Sequence, residues 1–298
     1  MPVALEQITR ENSLTMDIIH GSQMEYESVP FAQRTGTIAF KRLFTGPKDT
    51  PEHFLFLLAR QGEFYSPLHH HNFEQFRYGY RGSLSIDPNT ILNEGELAYH
   101  PEGVFYGPQQ DLGGEREVLL LQFGGASGQG YLNITETAHL QDELKQRGRI
   151  EKGKYYPNDG GQTKDAYEAM WEVHSGRPLE YPGARYSQVI IVKPENCAWV
   201  PIRGTTNVYR KHLGTFTECE TKAEIIKLDA GSKFDIVARD VTQLLFVLRG
   251  EGEAQGEGIQ QESAIRIRAG QELRLQASTG LEVLNFILPD LHHLLKHE

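Results

Sequence analysis

Cysteine is nearly absent: the 298 residues hold two, Cys197 and Cys219. Neither lies in a CxxC-type pair, which argues against a disulfide framework or a cysteine zinc site and fits a reducing cytoplasm. Each reads as a small buried hydrophobe. Long apolar runs are missing too. The longest, Phe54–Ala59, is far short of the ~18 residues of a membrane-spanning helix. Basic residues are the minority charge, 30 Lys and Arg against 40 Asp and Glu, for a net charge of −10. No Lys/Arg block stands out. That balance speaks against a nucleic-acid binder and against attraction to an anionic membrane. The stretch 1–10 carries Glu6 and no apolar core, so no secretory leader is expected in it.

What is present is the makeup of a globular chain, 39% hydrophobic and 23% charged. Thirty glycines and fourteen prolines are scattered as punctuation. Between them lie short runs rich in aromatic, β-branched and leucine residues: Phe54–Ala59, Phe76–Tyr80, Val118–Phe123, Gln188–Val192, Glu224–Leu228, Leu244–Leu248, Ala264–Ile267 and Val283–Leu288. Many short strands without a helix between each pair predict an all-β sandwich or barrel rather than a parallel α/β sheet. Two stretches read as helices. Thr137–Arg147 spaces Leu140 and Leu144 four apart and stops at Gly148. Lys164–His174 puts Tyr167, Met170, Trp171 and His174 on one face and stops near Gly176. A further helical turn is expected at Leu291–Lys296. The polar segment Gly148–Asn158 reads as a connector. The expected division is therefore 1–150, a helical connector at 151–180, and 181–298.

The two halves repeat. Six residues separate Gln75 from Gly82, and six separate Gln243 from Gly250, with a strand inside each interval. Each glycine follows its strand, where a tight turn tolerates it best. Upstream, Gly62 precedes Gln75 by thirteen positions and Gly231 precedes Gln243 by twelve. Downstream come Pro101-Glu102-Gly103 and Arg268-Ala269-Gly270, then a closing apolar strand in each half.

These residues resemble the cupin superfamily, over both halves of the chain. The first cupin motif runs Gly, five residues, His-x-His, three or four residues, Glu, six residues, Gly. Here Gly62 is followed by six residues, His69-His70-His71, three residues, Gln75, six residues and Gly82. The second motif runs Gly, five residues, Pro-x-Gly, two residues, His. Here Gly95 is followed by five residues, Pro101-Glu102-Gly103, two residues and Tyr106. The resemblance implies two tandem jelly-roll β-barrels joined by a short helical connector. It places His69, His71, Gln75 and Tyr106 where the family carries its His, His, Glu and His metal ligands. Residues two apart on a strand share a face, so His69 and His71 can serve together, with Gln75 and Arg77 following inward and His70 outward. Another register pairs Leu68, His70 and Glu74; it restores the carboxylate but loses a histidine. The second copy offers Val237, Arg239, Gln243 and Leu273, a set unable to bind metal.

The resemblance implies a metal-dependent enzyme on a small organic, aromatic or enolisable substrate, akin to cupin dioxygenases of the quercetinase kind. One divalent Fe, Mn, Ni or Zn ion would sit in the first barrel. His69 and His71 are strong donors, whereas Gln75 is a neutral oxygen donor and Tyr106 must ionise to coordinate. Arg77, costly to bury without an anion, suits a substrate carboxylate or enolate. Tyr106 and His100 are candidate proton carriers. The alternatives are a cupin isomerase, cyclase or lyase working by acid–base chemistry, and a small-molecule binding protein without catalysis. The residues before about Thr35 are expected to add strands to the second barrel or to another subunit, and exposed edge strands favour a homodimer.

Overall fold

Apolar residues in the strand Phe54–Tyr65 face both ways. Phe54, Phe56 and Leu58 are buried on one side; Leu55, Leu57 and Ala59 are buried on the other, in a cluster with Leu140, Leu144, Met170 and Trp171. A strand covered on both faces needs an unbroken apolar run, which is why this one does not alternate. The computed structural model describes residues 17–28 and 35–297. The chain folds into two compact units. One runs from Glu25 to Asn196 and takes in the chain from Leu291 on. The other runs from Cys197 to Asp290 and includes the strand Asp17–His20.

Each unit carries a seven-stranded antiparallel sheet. In the first, the order is Ile190–Val192, Leu97–His100, Glu74–Arg81, Arg116–Phe123, Phe54–Tyr65, Thr35–Thr45, Glu27–Ser28. In the second it is Asp17–His20, Ser263–Ile267, Gln243–Arg249, Leu281–Ile287, Lys222–Leu228, Val208–Thr215, Val200–Pro201. The two orders match strand for strand. A bulge falls at the same place, between Gly79 and Arg81 and between Val247 and Arg249. The next residue is a left-handed glycine in both, Gly82 at φ 69° and Gly250 at φ 84°. Gly103 N–H donates to the His71 carbonyl at 2.8 Å, and Gly270 N–H donates to the Arg239 carbonyl at 2.7 Å. The tandem jelly-roll that the resemblance implies is therefore the architecture. In each sheet the first strand of the order comes from the chain leading into the other unit. The expected strand contribution of the N-terminal segment is met by Asp17–His20 pairing with Ser263–Ile267; residues 1–16 and 29–34 lie outside the described residues.

Both helices carry local start signals. Asn133 Oδ1 accepts from Glu136 N–H at 3.2 Å while Glu136 Oε2 accepts from Asn133 N–H at 2.7 Å, a reciprocal cap for Ile134–Arg147. Asp165 accepts from Tyr167 N–H at the start of Ala166–Ser175, and Gly176 ends that helix in the left-handed region. The expected C-terminal turn is a 3-10 helix, His292–His297.

The observed division differs from the expected one. The segment expected as a connector packs Tyr155, Tyr167, Met170 and Trp171 into the first unit's core, so the change of unit falls at Asn196/Cys197. Within it, Gly148–Asn158 is a hairpin, Gly148–Glu151 with Lys154–Pro157, extended by Lys164–Asp165. Its two-residue turn, Lys152-Gly153, has positive φ at both positions, the geometry that matches strand twist.

Candidate functional site

The cavity of the first barrel is built where the two motif segments run antiparallel. Ser66 bridges to Gln109, and His69 and Tyr106 exchange both backbone hydrogen bonds, at 3.1 and 3.0 Å. This pairing decides the register. His69 and His71 line the cavity, and Leu68 is exposed. His70 is outside, stacked between Phe105 and Tyr181 with ring centroids 4.0 and 3.7 Å away, where burial lowers its pKa. Glu74 points away from Gln75 into a separate buried cluster with Glu102. The alternative register of Leu68, His70 and Glu74 does not occur.

Gln75, Arg77 and Tyr106 close a triangle at one end of the cavity. Gln75 donates from Nε2 to the Tyr106 hydroxyl at 2.8 Å. Its Oε1 accepts from Arg77 Nη2 at 3.3 Å and from Gln122 Nε2 at 3.0 Å. Arg77 Nη2 also reaches the Tyr106 hydroxyl at 3.3 Å. Arg77 Nη1 donates to Gln109 Oε1 at 3.5 Å, and Gln109 donates to Gln61 at 3.2 Å. Every one of these partners is neutral. The guanidinium thus has no carboxylate partner among the described residues. His100 stands opposite Gln75 in the ladder, packs its ring 4.5 Å from that of Tyr106, and lies behind the cavity wall. Burial, followed by the charges of Arg77 and His69, pushes the His100 pKa well below its ordinary value, so the ring is neutral. Neither of its nitrogens has a hydrogen-bond partner among the described residues.

The rest of the cavity is mostly apolar, walled by Phe40, Leu57, Phe64, Phe73 and Leu120 and lined also by Tyr131 and Tyr167, with Ser66 and Thr137 as its further polar groups. Its volume is about 130 Å³. That is below the ~300–1,000 Å³ of pockets for drug-sized ligands, so a small molecule is the natural occupant.

The donor set matches the expected metal only in part. His69 Nδ1 lies 2.6 Å from the Pro67 carbonyl and must donate to it, which leaves Nε2 as that ring's acceptor atom. The His71 ring is 4.9 Å away, so two imidazoles stand together. Gln75 and Tyr106 are different. Both expected oxygen ligands accept hydrogen bonds from a fixed guanidinium, whose charge opposes a second cation at the same oxygens. Among the described residues no group of three or more His, Cys, Asp or Glu has the geometry to hold a metal ion. The set His69, His71, Gln75 and Tyr106 therefore does not fit a metal as a four-residue site; the two histidines are the donors that remain.

Sequence reasoning overlooked Gln61, Gln109, Gln122, Tyr131 and Tyr167. Gln122 had a signal, as the one polar residue of the run Val118–Phe123. Gln61 follows Leu57 and Ala59 at the two-residue period of their strand, and Tyr167 lies on the helix face that spacing showed; Gln109 and Tyr131 belong to segments whose packing no spacing rule shows.

No family model matches the sequence, and no curated protein matches it. Solved structures do. A candidate dioxygenase from Nostoc punctiforme aligns over 93% of this chain and 84% of its own, with 12% identity and a TM-score of 0.63. A candidate glyoxylate-induced protein from Pseudomonas aeruginosa aligns over 91% and 87%, with 11% identity and a TM-score of 0.60. Oxalate decarboxylase from Bacillus subtilis aligns over 93% and 76%, with 14% identity and a TM-score of 0.53. The likeness is one of fold, the arrangement of two β-barrel units in one chain. No helix among the described residues is long and apolar enough to cross a membrane.

Proposed function

We propose that the first barrel is the site of a cupin-type enzyme that binds a small organic anion and moves a proton on it. The observation that carries this is Arg77, a partly buried guanidinium at the end of an apolar cavity whose partners Gln75, Tyr106 and Gln109 are all neutral. A charge held so is stabilised by an anionic ligand. The substrate carboxylate or enolate oxygen meets Arg77, and its apolar body lies against Phe64 and Leu120. The Tyr106 hydroxyl accepts from Gln75 and Arg77, so its own proton is directed to another acceptor, the bound oxyanion. His69, held as the Nδ1–H tautomer, presents Nε2 as the base. Gln75 and Gln122 are positioning residues that fix the angle of Tyr106. Exclusion of water by the apolar wall strengthens each of these contacts.

A second reading, oxygen-dependent chemistry with a divalent ion at His69 and His71, draws on the adjacent imidazoles and on the likeness to a candidate dioxygenase. One experiment separates the two. Full-length protein is stripped with chelator and titrated by calorimetry with small oxo acids, with and without added Mn(II) or Fe(II). The expected result is binding without metal, weakened about tenfold or more in Arg77→Gln and retained in His69→Ala/His71→Ala. Binding that requires the metal and ignores Arg77→Gln overturns the first reading in favour of the second.

A further inference from the structure

The second barrel's motif positions were expected to be unable to bind metal, which left open whether that barrel has a pocket. It has an open cavity of about 840 Å³ at the place of the first barrel's motif. The matching hydrogen bonds of Gly103 to His71 and Gly270 to Arg239 put Arg239 where the first barrel has His71. Gln243 stands for Gln75, with the same bulge four residues on. One assignment changes. Leu273, three residues after Gly270 as Tyr106 is after Gly103, pairs with Ile236, so Ile236 and not the exposed Val237 takes the place of His69.

The cavity is lined by four cations, Arg203, Arg210, Lys233 and Arg239, and two carboxylates, Glu224 and Asp235. The carboxylates are spoken for. Asp235 takes both Nε and Nη2 of Arg274, at 2.7 and 3.0 Å. Glu224 is 3.6 Å from Arg210 and accepts from Asn285 at 3.1 Å. Arg203, Lys233 and Arg239 make no ion pair among the described residues. Two buried polar atoms also lack any hydrogen-bond partner there: Arg239 Nε in the cavity wall, and Asn285 Oδ1 behind Glu224 and Gln243. A desolvated guanidinium N–H without an acceptor is costly. In a chain of net charge −10, three unpaired cations around one cavity are a local reversal of sign that draws anions. The remaining polar lining is hydroxyl and amide, from Thr205, Thr206, Asn207, Ser232 and Gln243.

We propose that the second barrel is a binding site for a hydroxylated organic anion, a carboxylate or phosphate ester whose charged group is taken by Arg239 with Lys233 and Arg203. The hydroxyl and amide side chains meet the ligand's hydroxyl groups. The site is independent of the reading given for the first barrel.

The test is calorimetry of the full-length chain with glycerophosphate, with gluconate and with neutral sorbitol, in the wild type, in Arg239→Gln and in Arg77→Gln. The expected result is saturable binding of at least one of the two anions, weakened about tenfold or more in Arg239→Gln, the scale of a charge-assisted contact, and unchanged in Arg77→Gln. Which anion binds tells carboxylate from phosphate. The proposal is overturned if neither anion binds, if sorbitol binds as well as they do, if Arg239→Gln leaves affinity unchanged, or if Arg77→Gln alone abolishes it, which would move the event to the first barrel. If Arg239→Gln does not fold, judged by circular dichroism, Arg203→Gln/Lys233→Gln takes its place; these two side chains are exposed, and a severalfold loss is expected from the pair. Unchanged affinity there overturns the proposal equally.

Discussion

The two barrels share a strand order, a bulge and a left-handed glycine, yet differ at nearly every position that points into the cavity. Where the first has His69, His71, Gln75 and Arg77, the second has Ile236, Arg239, Gln243 and Leu245. The first barrel has one arginine in its cavity wall without a carboxylate partner, Arg77 on the central strand; the second has two among the described residues, Arg203 and Arg239, both in segments before its central strand Gln243–Arg249. What is held constant is the backbone, and what varies is which side chain carries charge inward. The fold is thus specified by turn geometry and apolar alternation, and the chemistry by a handful of positions that the fold tolerates in many forms.

The largest effects should be the ones that do not tell the barrels apart. Phe76 and Phe286 are both fully buried, each in the sheet of its own unit. Phe76→Ala and Phe286→Ala are each expected to cost ~3–5 kcal/mol, the range for emptying an aromatic from a close-packed core. Urea denaturation of the two variants checks this. A cost under ~1 kcal/mol in one of them would break the equivalence of the two cores.

Next comes a difference of pH. Glu74 is buried in the first barrel where the second has the half-buried Thr242. Burial, and then the neighbouring Glu102, raise the Glu74 pKa from 4.5 to about 8. The folded state therefore holds a proton that the unfolded chain releases. The stability from that proton is whole below pH 4.5, falls as pH rises, and is gone above about 8. Glu74→Gln, neutral at all pH, should match the wild type near pH 5 and exceed it at pH 8 by an amount on the order of a few kcal/mol. Thermal unfolding at both pH values decides. Parallel pH curves for the two proteins would mean that Glu74 does not carry the proton.

Smaller again is the cost of the first barrel's unpaired charge. Arg77→Met leaves Gln75 bonded to Gln122 and Tyr106 bonded to Gln75. Removing a guanidinium without an anionic partner is expected to stabilise the empty protein by ~1–2 kcal/mol while abolishing oxo-acid binding, a trade of function against stability. A drop in Tm with Arg77→Met would mark the arginine as structural and weaken the reading of the cavity as an anion site.

Much of this was legible in the sequence, for physical reasons that differ by element. The repeat was visible because Gly82 and Gly250 sit at positive φ, where other residues are strained, and because Gln75 and Gln243 keep the same distance from them. The inward parity of His69, His71 and Gln75 followed from the two-residue period of extended chain. The strands Thr35–Thr45 and Val208–Thr215 were not seen. Lys41 and Arg42 interrupt the first, and only alternate residues of the second are covered, so neither shows an apolar run. The hairpin Gly148–Pro157 was hidden by polarity, since its order rests on a Lys-Gly turn and on Tyr155. Above all, spacing could not show that Arg77 turns back onto Gln75 and Tyr106. That contact decides how the site is read, and it depends on the rotamer of one long side chain.

The finest comparison is between the two turn glycines. At Gly82 an added methyl group would have as its nearest neighbour the Arg116 Cβ, at 3.4 Å, so space is nearly adequate and only the left-handed backbone resists. Gly82→Ala should cost ~1–2 kcal/mol, the penalty for a side chain at positive φ. At Gly250 the same methyl would run into the backbone oxygen of Gly280, the residue that leads into the strand Leu281–Ile287, and main chain there cannot swing aside as a flexible side chain could. Gly250→Ala must carry the same strain and a displacement of that strand end as well. The difference between the two variants, expected at about 1 kcal/mol or more in urea denaturation, measures how closely the second barrel closes at a corner where the first stays open. Equal costs would mean that the corner at Gly280 yields freely, and the backbone likeness of the two barrels would then be looser than their shared strand order implies.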